Sequence, residues 1–119
     1  MIILDTNVFI YIANGTLSTD VISKTDIAHA SITKIEALGF STITANELLI
    51  LNSLFTESYN LELTSSIVDR AVRLRQAKRM SLGDSIVAAT ALEHGLEFWS
   101  ANVDDFRHIE ELKFLNPLQ

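Results

Sequence analysis

The 119-residue chain has no cysteine, a single proline and only four glycines. Without cysteine it can form neither disulfides nor thiolate metal sites, and its redox compartment is left open. No Pro-, Gly- or Ser-rich linker, internal repeat or low-complexity tract divides it. No apolar segment approaches the roughly 20 residues needed to cross a bilayer. The opening run Ile2-Ile3-Leu4 is too short for a signal peptide and has neither a basic leader nor a cleavage site. A soluble cytoplasmic protein is therefore expected. Basic residues are also scarce: nine Lys and Arg against fifteen Asp and Glu give a net charge of −6. That argues against broad, nonspecific affinity for nucleic acid, which rests on many cation–phosphate contacts. Five of the nine basic residues lie between Arg70 and Arg79.

Apolar residues make up 48% of the chain, with mean hydropathy +0.26. The length suits one domain, residues 1–119, with a well-filled core. The apolar surplus points to a permanent partner. Ile2-Ile3-Leu4 reads as a short buried strand ending at Asp5, with Thr6 and Asn7 able to cap a helix beginning at Val8. Thr19 to Ser23 reads as a short helical piece and Ile27 to Ala30 as a second strand. A helix opened by Ser31 or Thr33 runs to a stop at Gly39. Thr44 starts a helix over Ala45 to Phe55 whose Leu48, Leu49, Ile50, Leu51, Leu54 and Phe55 cover most of its circumference. One side of it would face the core and the other a homodimer or partner. Tyr59 to Leu63 alternates as a strand, and Thr64, Ser65 or Ser66 caps a helix reaching Ala77 or Lys78. Asp84 opens a second strongly apolar helix, Ser85 to Glu93, closed by His94-Gly95. Leu96 to Ser100 is a strand, Asn102 to Ile109 a loop, and Lys113 to Leu115 a last strand. Strands alternating with helices, without hairpin signals, predict an α/β fold with a central, mainly parallel sheet flanked by helices.

Four acids fall where ligands bind in such a fold, beyond the carboxyl ends of strands. Asp5 ends the first strand, and Glu36 lies on the helix after the second. Asp84 is in the first turn of a buried helix, and Asp105 follows the strand ending at Ser100. Taken singly, each has a bland account: Asp5 as a helix cap, Asp84 as a charge at a helix N-terminus, Asp105 as loop. Together on one rim they would repel one another and raise each other's pKa unless a cation joined them. Mg²⁺ or Mn²⁺ suits carboxylates lacking His or Cys company, and such cations would invert the local field where a phosphate must approach.

These segments resemble the PIN domain family, and within it the VapC-type toxin ribonucleases of toxin–antitoxin pairs. The family's apolar strand followed by Asp-Thr-Asn is matched by Leu4-Asp5-Thr6-Asn7. Its Ile-Thr-x-x-Glu segment is matched by Ile32-Thr33-Lys34-Ile35-Glu36, its Asp-x-x-Ile-Ala-Ala-Thr-Ala helix by Asp84 to Ala91, and its Thr-x-Asn-x-x-Asp-Phe motif by Ser100 to Phe106. Ile43-Thr44-Ala45-Asn46-Glu47 also fits the second motif, but only Glu36 follows directly on a strand. Three residues depart from the pattern: Ser100 for threonine, Ala37 for leucine and Gly83 for proline.

The resemblance implies metal-assisted hydrolysis of RNA phosphodiester bonds. Asp5 and Asp84 would be the primary Mg²⁺ or Mn²⁺ ligands, Asp105 would complete the set or hold a second ion, and Glu36 would orient or deprotonate water. It also implies a homodimer inhibited by a cognate antitoxin. Asn7, Asn102 and Ser100 are placed to fix the carboxylates by hydrogen bonds, or are simply satisfied turn residues. Arg70, Arg73, Lys78 and Arg79 are placed to grip RNA phosphates, or form a solvated helix face. His29 reads as core, His94 as a helix-end cation, and His108 as a loop residue near Asp105. A catalytically silent PIN-like module remains an alternative. So does a haloacid-dehalogenase-like phosphatase, although that chemistry needs an acid where this chain has Asn7.

Overall fold

The computed structural model describes all of residues 1–119. Five strands form one sheet: β1 (Ile2–Leu4), β2 (Ile27–Ala30), β3 (Tyr59–Leu61), β4 (Glu97–Trp99) and β5 (Phe114–Leu115). Their order is β3-β2-β1-β4-β5, and every neighbouring pair is parallel. The helices are α1 (Thr6–Ala13), α2 (Ser31–Leu38), α3 (Ala45–Glu57), α4 (Ser65–Ala77), α5 (Leu82–His94) and the short α6 (Val103–Phe106). A single 3₁₀ turn covers Thr19–Ile22.

Strand alternation splits the core between the two faces of the sheet. Ile2 and Leu4 pack with Val8, Phe9 and Ile12 of α1 and with Leu51 and Phe55 of α3. Ile3 points the other way and packs with Val87, Ala88 and Ala91 of α5, with Phe98, and with Phe106 of α6. The small side chains Ala88, Ala89 and Ala91 are fully enclosed, so α5 can lie close to the sheet while α4 covers its outer side through Ile67 and Ala71. Such burial contributes about 25 cal/mol per Å² of apolar surface.

The structure refines several boundaries. Asp5 itself is the N-cap of α1, where Thr6 or Asn7 was expected. Ser81 caps α5, which puts Asp84 at its third residue. The stretch read as a loop from Asn102 contains α6, a single helical turn whose Phe106 is anchored between Phe98 and Phe114. Thr44 and Glu47 form a reciprocal capping box: Glu47 N–H donates to Thr44 Oγ1 at 3.1 Å, and Thr44 N–H donates to Glu47 Oε1 at 3.0 Å. Glu47 is thereby committed to starting α3. On that helix Leu51 and Phe55 are buried, whereas Leu48 and Leu49 are exposed.

His29 is a core residue. Its ring lies edge-on to Phe9 and Phe55, and Nδ1 is 2.7 Å from the Ser58 hydroxyl. Burial, reinforced by the Lys34 charge, pushes its pKa down to about 4. The folded protein resists protonation of this ring, so the stability it contributes is complete above pH 6.5 and lost as pH falls towards 4. The substitution His29→Gln, which keeps a partner for Ser58, is expected to spare the fold that acid loss. Urea unfolding of both proteins should show the stability difference shifting in the variant's favour by about 2 kcal/mol between pH 7 and pH 4.

Candidate metal and hydrolytic site

The sheet order fixes where a ligand can bind. From the central strand β1 the chain steps outward to β2 and β3, then returns to β1's other side for β4 and β5. The switch point lies between β1 and β4, and open α/β sheets bind ligands just beyond the strands' carboxyl ends there. Asp5 occupies that point. Its N–H donates to Trp99 O at 2.9 Å, tying it to the end of β4, and it is only 5% exposed.

Both Asp5 carboxylate oxygens are held. Thr6 N–H donates to Oδ1 at 2.9 Å, and the Ser100 hydroxyl donates to Oδ2 at 2.8 Å. Ser100 is fully buried, and its oxygen accepts the Asn102 N–H at 3.0 Å. Ser100 therefore does fix the nearest acid, and Asn102 acts through its backbone. Asn7 differs from both: its Oδ1 is shielded from solvent and has no hydrogen-bond partner.

The other three acids reach the same rim. Glu36 lies on α2, exposed overall, yet its Oε1 accepts the Thr6 hydroxyl at 2.8 Å. Its Oε2 is 2.9 Å from where a Cβ on Gly83 would stand. The absence of a side chain at Gly83, noted as a departure from the family pattern, is thus what lets Glu36 lie against the first turn of α5. Asp84 stands in that turn, its N–H donating to Ser81 Oγ at 3.1 Å. Asp105, on α6, lines with Asp84 a cleft that neither Asp5 nor Glu36 lines, while Asp104 beside it pairs with Arg107.

Electrostatics link Asp5, Glu36 and Asp84 to one another, and Asp105 to Asp84 alone. Asp5 is pushed up to about 6, chiefly by burial and further by the charges of Asp84 and Glu36, against the lowering effect of Ser100 and Thr6. Asp84 is raised by burial and by Asp105 and Glu36. Each acid is within electrostatic reach of at least one other. No three of them already stand at the spacing of a closed ligand shell. The donor set nevertheless fits a hard divalent cation: it is all oxygen, it includes a desolvated carboxylate that lacks a cationic partner, and an unsatisfied amide oxygen lies two residues from Asp5.

The basic cluster divides. Arg70 pairs with Glu93 and is taken out of the reckoning, and Arg73 lies exposed outside the cleft. Lys78 and Arg79 line the cleft beside Asp84 and Asp105. Sequence reasoning placed His108 near Asp105 but missed its enclosure: both ring nitrogens are shielded and unpartnered.

The PIN domain family matches residues 2–112. The chain belongs to that family. Among solved structures it is similar to a toxin–antitoxin complex from Klebsiella pneumoniae, with 26% identity, a TM-score of 0.83 and 98% of each chain covered. It shares its fold with VapBC2 from Rickettsia felis bound to a promoter DNA fragment (18% identity, TM-score 0.80, 98% of each chain). VapBC-1 from nontypeable Haemophilus influenzae has it too (19% identity, TM-score 0.80, 100% of each chain). Comparison with curated protein sequences finds no match. The expected α/β architecture holds, and the sheet of this PIN domain is parallel throughout.

An ionised Asp5 costs the fold energy in the absence of a cation. Its raised pKa means that the folded state favours the protonated form, so this penalty is absent below pH 3.8 and complete above pH 6. Asp5→Asn is therefore expected to stabilise the protein at pH 7 in chelator by about 2 kcal/mol. The gain should vanish near pH 4. Thermal unfolding at the two pH values measures it, and an unchanged or lowered melting temperature at pH 7 would contradict the assignment.

Proposed function

We propose that this PIN domain is a metal-dependent endoribonuclease and the toxin of a toxin–antitoxin pair. The observation that carries the reading is the gathering of Asp5, Glu36, Asp84 and Asp105 on one rim at the sheet's switch point, with Asp5 buried and charged against its own stability. A Mg²⁺ or Mn²⁺ ion held by Asp5, Asp84 and Asp105, with Glu36 beside them, would supply Lewis-acid polarisation of the phosphoryl group and a more acidic water.

The chain's own residues set the rest of the chemistry. Thr6 N–H and the Ser100 hydroxyl fix the plane of the Asp5 carboxylate, so it is oriented before any ligand arrives. The Thr6 hydroxyl engages Glu36 Oε1 and leaves Oε2 without a protein donor. Oε2 is accordingly the atom to take a proton from the attacking water as its oxygen adds to phosphorus and the P–O bond to the departing ribose oxygen breaks, that oxygen taking its proton from solvent. The rim is open to solvent through Glu36 and Asp105, as a polymeric substrate requires.

The toxin assignment is supported by solved relatives described as a toxin–antitoxin complex and as a member of the VapBC family of toxin–antitoxin systems. A cognate antitoxin and a second copy of the chain are the partners this reading calls for, and exposed Leu48 and Leu49 on α3 offer apolar surface to one of them. No helix is long and apolar enough to cross a membrane, which agrees with a cytoplasmic site of action.

Purified protein should cut RNA with Mg²⁺ or Mn²⁺ and stop in chelator. Asp5→Asn and Asp84→Asn should lose at least 100-fold in rate while keeping native circular dichroism, since each removes a ligand and not a packing group. Either metal should also raise the melting temperature of the unsubstituted protein and leave that of Asp5→Asn nearly unmoved. Binding of an antitoxin with no RNA cleavage under any of these conditions would instead indicate a silent module.

A further inference from the structure

The cations between Arg70 and Arg79 look like one basic face in the sequence, but the fold separates them by task. Arg70 is engaged by Glu93. Arg75 donates through Nε to Met80 O at 3.2 Å and braces the α4–α5 connection. Lys78 ends α4 in an extended conformation (φ −157°, ψ 146°), and the turn it starts carries Lys78 and Arg79 onto a cleft of about 650 Å³. Asp84 and Asp105 lie on the same cleft, as does His108. Neither Lys78 nor Arg79 has an acidic partner.

His108 is the telling member. Its ring nitrogens are shielded from solvent, and neither has a hydrogen-bond partner. A shielded polar group left unpaired is costly, and a ligand that reaches it and accepts from it would recover that cost. Burial and then the nearby Lys78 charge lower its pKa, so at neutral pH the ring offers one N–H as a donor. Two free cations and an unpaired N–H beside the carboxylate rim make a recognition surface for a phosphate, set next to the place where phosphodiester chemistry would occur.

We infer that this cleft seats the RNA phosphate adjoining the one that is cut, with Lys78 and Arg79 offsetting its charge and with His108, once its ring turns outward, donating a hydrogen bond to its oxygen. The inference rests on the ribonuclease reading above and deepens it. It explains how a chain of net charge −6 can hold a polyanion beside a cluster of carboxylates: the anchoring charge is local to the cleft.

The test uses the full chain and a single-stranded RNA oligonucleotide that the unsubstituted protein cuts in Mn²⁺. Lys78→Gln combined with Arg79→Gln should raise KM several-fold with kcat changed little, because both residues are exposed and bind substrate without taking part in bond making. In the Asp5→Asn background, binding of the same RNA should lose about 0.7 from the slope of log K against log salt for each contact removed. Replacing the phosphate next to the cut by an uncharged methylphosphonate should weaken binding to the unsubstituted surface and have no effect on the double variant. His108→Phe should lose part of the same contact, and His108→Gln, which keeps a donor, should recover it. Arg70→Gln serves as the control and should behave as the parent. Cleavage with KM, salt slope and methylphosphonate sensitivity all unchanged in the double variant would overturn the inference and leave the ribonuclease reading standing. An unsubstituted protein that cuts no RNA with either metal would bring down both.

Discussion

An ionised carboxylate placed where water scarcely reaches is the constraint on which the rest of this structure depends. Taking a charge out of water is costly unless it is paired or hydrogen-bonded. Asp5 has two neutral donors, Thr6 N–H and the Ser100 hydroxyl, and its charged neighbours Glu36 and Asp84 carry its own sign. Those two hydrogen bonds counter the repulsion in part, and no cationic side chain does. A protein shaped only for stability would have an apolar or amide side chain at this position, as the helix needs no carboxylate to begin: Oδ1 reaches only Thr6 N–H, a weaker cap than one bonding the second or third residue. The strain makes sense as an affinity held in reserve for a cation.

The topology turns that local tension into a site. Because β1 is central and the chain reverses its direction of travel between β1 and β4, the ends of these two strands form the switch point beyond which open α/β sheets bind ligands. Ser100 bridges the ends, ninety-five residues from the acid it serves. Glu36 arrives on α2 directly after β2, and Asp84 on a helix whose run of alanines lets it lie close to the sheet. Gly83 completes the approach, since a side chain there would contact the Glu36 carboxylate. Backbone order, helix packing and one missing methyl group therefore act on the same few oxygens.

Much of this was legible in the sequence, for identifiable reasons. Short apolar runs separated by capped amphipathic helices specify a parallel sheet, and Thr44, Thr64 and Gly95 mark helix ends by chemistry that works locally. Asp5 and Asp84 stood out because each falls within a residue or two of a strand end or a helix start. The misses share one cause, which is that they depend on distant contacts. Helix α6 is one turn long and has no side-chain cap; Phe106 packing on Phe98 and Phe114 holds it, and no local signal reports that. Glu47 and Glu36 sit in similar motifs; the sequence separates them by the strand directly before Glu36, and the capping box holds Glu47 at the start of α3. Arg70 could not be told from Lys78 while Glu93 was merely another residue further along the chain.

Charge distribution finally bears on what such a site could select. Fifteen acids against nine bases give the molecule a field that repels a polyanion at long range. On the ribonuclease reading, association gains nothing from steering, so affinity must come from contacts made after the strand has reached the cleft. Those contacts are few, because Arg70 and Arg107 are spent on Glu93 and Asp104 and Arg75 braces a turn. A surface with so few free cations cannot hold RNA indiscriminately, since generic affinity grows with the number of phosphates neutralised. Discrimination then falls to shape: a segment whose backbone brings one phosphate to the carboxylate rim and its neighbour to the Lys78–Arg79 wall would be held, and a strand that satisfies only one would be repelled by the rest of the surface. The acidity that first argued against a nucleic-acid partner becomes, in this geometry, a means of rejecting most of them.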